Sequence, residues 1–250
     1  MKASSFALMI ASAASSLSAP RAEAAPQKYA FAGRITQGSF AGMTLSGGLT
    51  IVAARPGPIS GVIYLADGIH QPVQGSLGGD SSLTISFPAS LSNGLAVTVT
   101  GQGRPDAHGL YRGTFRVTRG PTLIDLGVWA ASPVARTDTL LGLAFDGTLA
   151  QGPDHGRHYS GAVLIDVVSN RGTLTTPDGQ VDVVTLSQPG LLGAPTYALR
   201  VNLGDGTSLQ GQGAYVPSGN GYLRGTFAGP APHDAGAWTA PFFRTLHGSF

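Results

Sequence analysis

GPTLIDLGVW, Gly120 to Trp129, and GPAPHDAGAW, Gly229 to Trp238, hold Gly-Pro, Asp, Gly and Trp at the same relative positions, each following a Gly-Thr-Phe triplet. The correspondence extends upstream at a period of about 110 residues, long enough for one complete small β-barrel per copy rather than one solenoid turn. Phe31-Ala-Gly-Arg-Ile-Thr-Gln-Gly38 answers to Phe145-Asp-Gly-Thr-Leu-Ala-Gln-Gly152, and Ser46-Gly-Gly-Leu-Thr-Ile51 to Ser160-Gly-Ala-Val-Leu-Ile165. Gly101-Gln-Gly103 recurs as Gly211-Gln-Gly213, and Tyr111-Arg-Gly-Thr-Phe115 as Leu223-Arg-Gly-Thr-Phe227.

Between these landmarks the chain alternates. Leu95, Val97 and Val99 interleave with Ala96, Thr98 and Thr100, and Tyr197, Leu199, Val201 and Leu203 with Ala198, Arg200 and Asn202. Side chains alternate across a sheet, so each run is a strand with one apolar face. Asp67-Gly68, Asn93-Gly94, Asp178-Gly179, Asp205-Gly206 and Asn220-Gly221 fall between such runs and predict type I′ hairpin turns. Glycine, at 37 residues, is abundant and charged residues, at 11%, are scarce, a composition that suits short strands and tight turns. The expectation is an all-β chain: two tandem antiparallel up-and-down barrels of about eight strands each, the number that closes around its own side chains. A single merged barrel and a sandwich are the alternatives. The copies are placed at 25–133 and 140–250, with Ser132 to Thr139 as the joint.

Residues 1–24 read as a cleaved signal peptide: Lys2, an apolar stretch from Phe6 to Leu17, and Ala22-Glu23-Ala24 before Ala25. No later segment approaches the roughly 18 apolar residues of a transmembrane helix. Export to the periplasm, cell surface or medium follows. The chain has no cysteine, which removes a disulfide framework and a thiol nucleophile. Its net charge of +2 includes Lys2 and Arg21 of the signal, and the rest carries no basic block, so nucleic acid is not an expected partner.

At the paired GPxxxDxGxW stretches the chain resembles the small barrel domain of transferrin-binding-protein-like surface and solute-binding proteins of Gram-negative bacteria. Their ending, G-x-F-x-G-P followed by A-x-E-x-G-G-x-aromatic, is matched by Gly225, Phe227, Gly229, Pro230, Asp234, Gly236 and Trp238. Gly113, Phe115, Gly120, Pro121, Asp125, Gly127 and Trp129 match it with three extra residues between Phe115 and Gly120. Asp125 and Asp234 stand where the family has Glu, and the lipidated cysteine of its surface lipoproteins is missing. The resemblance implies a barrel and an exported, non-catalytic binding role toward an unidentified protein or small molecule. It carries over no ligand-contact residue.

The signature also has an architectural meaning. Trp129 and Trp238 are expected to plug one barrel end, each indole N–H needing a partner. Asp125 and Asp234 are expected to accept backbone N–H bonds across the closing turn.

Candidate chemistry is sparse. Asp154, His155 and His158 are metal-ligand types, but His155 and His158 point opposite ways if extended, and the stretch after Gly152-Pro153 reads as a solvated loop tip. No metal or cofactor is assigned. No G-x-S-x-G or grouped Ser, His and Asp marks a hydrolase. Asp178 and Asp182 are the one close carboxylate pair, both beside a turn and expected in solvent. His70, His108, His233 and His247 are isolated, and Arg112 with Arg116, like Arg200 with Asn202, predicts a solvated outer face. Phe250 matches the C-terminal aromatic of outer-membrane barrels, but Arg244 and Gly248 interrupt its strand pattern. An exported hydrolase and a structural envelope component remain the alternatives. A ligand would meet loops at one barrel end or the cleft between copies, since small closed barrels are filled.

Overall fold

The computed structural model describes residues 26–53, 56–66, 69–91, 93–134, 140–166, 168–187, 196–219 and 221–244. The signal segment, Asp67-Gly68, Asn220, residues 135–139, His247 and Phe250 lie outside them. Sixteen strands follow in order: β1 (Gln27–Gly38), β2 (Thr44–Val52), β3 (Gly57–Leu65), β4 (His70–Leu77), β5 (Leu83–Ser90), β6 (Ala96–Pro105), β7 (Tyr111–Arg119) and β8 (Thr122–Pro133), then β9 (Leu140–Gln151), β10 (His158–Asp166), β11 (Arg171–Thr175), β12 (Val181–Ser187), β13 (Thr196–Asn202), β14 (Ser208–Val216), β15 (Tyr222–Ala228) and β16 (Ala235–Arg244). The first eight close into one antiparallel barrel and the second eight into another. The tandem-barrel architecture is that expected from the repeat.

Closure is made by corresponding residues. Trp129 of β8 lies opposite Gly33 of β1, and Trp238 of β16 opposite Gly147 of β9. Alternation fills each interior with apolar side chains, among them Phe31, Phe87, Ile85 and Phe115 in the first barrel and Phe145, Leu149, Val184 and Phe227 in the second. Arg34, Gln102, Arg116, Arg200 and Gln212 point outward into solvent. An apolar inside and a polar outside reverse the arrangement a bilayer-spanning barrel requires.

The hairpin turns differ from expectation. In Thr176–Gln180 the Thr176 N–H donates to the Gln180 carbonyl at 2.9 Å and the Gly179 N–H to the Thr176 carbonyl at 3.0 Å. The same pair of bonds joins Leu203 to Thr207, Leu91 to Leu95, Asp106 to Leu110 and Gly78 to Ser82. Among the described residues only the third loop residue takes a positive φ: Gly179 (87°), Gly206 (85°), Gly94 (78°), Gly109 (77°) and Ser81 (62°). These are three-residue loops, a type I turn followed by a left-handed residue, not type I′ turns. The Asn or Asp before the glycine caps the turn through its side chain instead, as when Asn93 Oδ1 accepts the Leu95 N–H at 3.0 Å.

The joint also begins later than expected. Ser132 and Pro133 pair with Ala30 and Tyr29 and belong to β8. Ser132 is buried, its hydroxyl 2.6 Å from that of Thr175 on the second barrel.

The barrels meet through their first hairpins. Ala30 and Ala32 point away from the Phe31 core yet have no exposed surface, because β10 of the second barrel packs on β1. Ala30 clusters with Ala144, Ala162, Leu164 and Phe243, and Ser46 and Ser160 are buried as well. The contacts are reciprocal: β2 meets its counterpart β10, β1 meets β10 as β9 meets β2, and β8 meets β11 as β16 meets β3. That is the pattern of a two-fold, self-complementary interface within one chain. Small side chains at its centre let the sheets approach closely.

Candidate functional site

The tryptophans of the repeated signature make matching contacts in the two copies. Trp129 Nε1 donates to the Thr114 carbonyl and Trp238 Nε1 to the Thr226 carbonyl, each at 3.2 Å. Phe31 lies 5.8 Å from Trp129 and Phe145 5.8 Å from Trp238, at nearly equal tilts. On the other side each indole covers a Gly-Gln-Gly strand: a Cβ on Gly103 or Gly213 would stand 2.6 Å from the indole Cζ2. Both indoles are interior fillers held to the wall, not plugs over a mouth.

Asp125 and Asp234 are buried at 1% and 3% exposure. Asp234 accepts the Asp154 N–H at 3.1 Å and the Ala231 N–H of its own turn at 3.0 Å. Asp125 accepts the Phe40 N–H at 3.1 Å, from the first hairpin rather than the closing turn, and its Oδ2 has no partner among the described residues. The three extra residues explain the difference. They lengthen the β7–β8 hairpin to a tight Gly120-Pro121 turn, whereas Gly229 to Asp234 forms a broad loop.

Asp154 and His155 sit in the β9–β10 turn, while His158 opens β10. Asp154 pairs with Arg157 at 3.3 Å, and His158 Nε2 lies 3.0 Å from Asp146 Oδ2. The three do not converge, and among the described residues no three His, Asp, Glu or Cys side chains are grouped to hold a metal. His70 and His108 are exposed, and His233 occupies a turn at φ 66°. Arg200 Nε bonds Asn202 Oδ1 on the outer face at 3.1 Å. Arg112, expected in solvent, instead reaches the second barrel, its Nη2 donating to the Gly179 carbonyl at 3.0 Å.

The polar chemistry gathers elsewhere. A cavity of about 520 Å³ opens at the mouth of the second barrel, where the first barrel leans against it. The β11–β12 and β13–β14 turns bring Asp178 and Asp205 to one side, with Asp182 below them on β12. Arg157 and His158 stand where β10 begins, and Arg34 arrives from β1 of the other barrel. A second cavity of about 510 Å³ lies between the barrels beside Gly179 and Gln180.

Asp182 departs from expectation. It is 2% exposed, not solvated. Its Oδ1 accepts Gln180 Nε2 at 2.7 Å. Burial pushes its carboxyl above the usual range; bonds from Gln180 and the Gly204 N–H pull the other way, and the charges of Asp178 and Asp205 add to the rise. Asp205 is held below its ordinary value by the Thr207 hydroxyl and N–H, with Arg157 contributing. Asp178 accepts the Thr176 hydroxyl. Tyr159 also lines the cavity; its hydroxyl is buried without a hydrogen-bond partner among the described residues, and burial raises its pKa. The sequence held a signal for Asp182 that the turn obscured. It shares strand parity with buried Val184 and Leu186, while Val181 and Val183 are exposed.

The duplication supplies a control for these charges. By register the first-barrel counterparts of Arg157, His158 and Asp182 are Met43, Thr44 and Gln71, and by position in the turn that of Asp205 is Asn93. A barrel of the same design closes without any of the charges, so closure does not require them.

No family model matches the chain. No curated protein matches it either. The chain is similar to several solved structures, two of which follow. A tryptophan-to-alanine variant of transferrin binding protein B from Haemophilus parasuis Hp5 is 8% identical, over 87% of this chain and 75% of that one, with a TM-score of 0.26. Intact Ap-TbpB, comprising N and C lobes, is 6% identical over 87% and 76%, with a TM-score of 0.25. These likenesses transfer no binding residue.

Proposed function

We propose that this chain is an exported, non-catalytic binding protein whose ligand enters the charged cavity at the junction of the barrels. The observation that carries this is the contrast between the copies: both interiors are filled, and only the second mouth gathers Arg157, His158, Asp182 and Asp205. Sites of this kind are concave, of some 300–1,000 Å³, with a few placed polar groups. The copies at 25–133 and 140–250 act as one unit, because the cavity draws Arg34 from the first and its other lining residues from the second. Export rests on the signal segment; N-terminal sequencing of the purified protein from the periplasm or medium should begin at Ala25.

The test is a thermal-shift screen of small polar molecules against the chain and an Arg157→Gln, Asp182→Asn variant. Ligands that raise the melting temperature of the first and not the second support the cavity; hits indifferent to both substitutions place binding elsewhere. A second proposal, a hydrolase, is favoured by one observation: Asp182 is raised beside Asp205, which is lowered, a contrast that suits an acid and base pair. Turnover of a glycan or ester lost in Asp182→Asn would replace the binding function with that one.

A further inference from the structure

We propose that the cavity takes a short zwitterionic peptide of about two or three residues, its ammonium held by the Asp178, Asp182 and Asp205 carboxylates and its carboxylate by Arg34 and Arg157. This assignment rests on the binding function proposed above and names its ligand class.

Cations and carboxylates come from different strands of the mouth, with Arg157 near enough to Asp205 to help hold it ionised. Asp182 lies on β12, and Asp178 and Asp205 occupy the turns leading into β12 and β14. Arg157 and His158 flank the start of β10, two strands from β12 around the barrel and four from β14. At a strand spacing of about 4.8 Å, β10 and β12 stand about 10 Å apart. An extended chain spans at most about 3.3–3.6 Å per residue, so two or three residues carry their terminal charges over that distance.

The groups on each side have capacity to spare. The carboxylates are capped by Gln180, Thr176 and Thr207, which are neutral, and the charges of Asp178 and Asp205 make Asp182 harder to ionise. An incoming ammonium relieves that repulsion. On the other side Arg157 uses Nη1 for Asp154, leaving further donors, and Arg34 forms no ion pair among the described residues. A simple cation would leave Arg34 unused, and a simple anion would meet three carboxylates.

Isothermal titration calorimetry of the full chain with tri-alanine, N-acetyl-tri-alanine and tri-alanine amide tests this. Tri-alanine should bind, and each capped peptide at least tenfold more weakly. Asp182→Asn should weaken tri-alanine by a similar factor without affecting the acetylated peptide further, and Arg34→Gln should do the same with respect to the amide. Asp205→Asn, an exposed change, repeats the first arm if Asp182→Asn fails to fold by far-UV circular dichroism. Equal affinity for capped and free peptides, or no binding of tri-alanine, overturns the proposal. If tri-alanine fails while a diamine, dicarboxylate or sugar binds and loses affinity in these variants, the ligand class falls and the binding function stands. If no probe binds in the cavity, both fall.

Discussion

Replacing Gly103 by alanine tests how the barrels are built. The added Cβ would stand 2.6 Å from Trp129 Cζ2, 3.1 Å from its Cη2 and 3.0 Å from the Arg112 carbonyl oxygen. The indole has little room to retreat: Nε1 is tied to the Thr114 carbonyl at 3.2 Å, and Phe31 packs on the opposite side. Forcing one methyl into such a contact costs about 1–3 kcal/mol, or roughly 5- to 150-fold in the folding constant. Trp129→Phe alone also destabilises, by leaving a void. Combined, the changes relieve each other, because the smaller ring vacates the space the methyl needs. The double variant should therefore recover at least about 0.5 kcal/mol relative to the sum of the singles. Guanidinium unfolding followed by circular dichroism measures all four proteins, since the chain's two tryptophans leave no first-barrel fluorescence once Trp129 is replaced. A neutral Gly103→Ala, or strictly additive costs, would refute the close packing of indole on glycine.

Three further outcomes follow. Asp234→Ala removes two bonds to backbone N–H groups and should cost about 2–4 kcal/mol in denaturant unfolding, whereas Asp125→Ala, with one such bond, should cost roughly half as much. The raised Asp182 carboxyl means the folded chain holds its proton more tightly than the unfolded one, so this group's contribution falls as pH rises from the ordinary value of 3.8 through the raised folded value. The stability of Asp182→Asn relative to the parent should therefore grow across that window and be smallest below it, as read from melting temperature against pH; an unchanged difference would contradict the burial. Ala30→Glu places a charge at a position with no exposed surface between the barrels and should cost several kcal/mol. Small-angle scattering should show separated barrels with strand content retained by circular dichroism.

The doubled closing stretch made the fold legible, because Trp129 and Trp238 impose the same glycines and the same neighbouring ring on both copies. Turn type was less legible: Asp-Gly and Asn-Gly suit several hairpins, and the loop length that decides between them depends on where the ladder bonds stop. The site was mostly hidden. Arg34 and Arg112 look like ordinary outward arginines, and their roles exist only once one barrel is laid against the other. Asp178 and Asp182 were noticed as neighbours in the chain, but one ends exposed in a turn and the other inside the wall. The His155 stretch drew attention through residue type alone, and its side chains are spent on local pairs or left in water.

The reciprocal seating of the two leading hairpins means that each half was shaped to fit a near twin. Cut apart, either half would bare an alanine- and serine-lined strip, and two identical halves could clasp through it as the unlike pair does now. Fusion in one chain frees the twins to diverge: with the mate guaranteed, Thr44 can stay plain while its counterpart becomes His158, and a single mouth can be furnished for a guest that a symmetric pair would have had to accept twice.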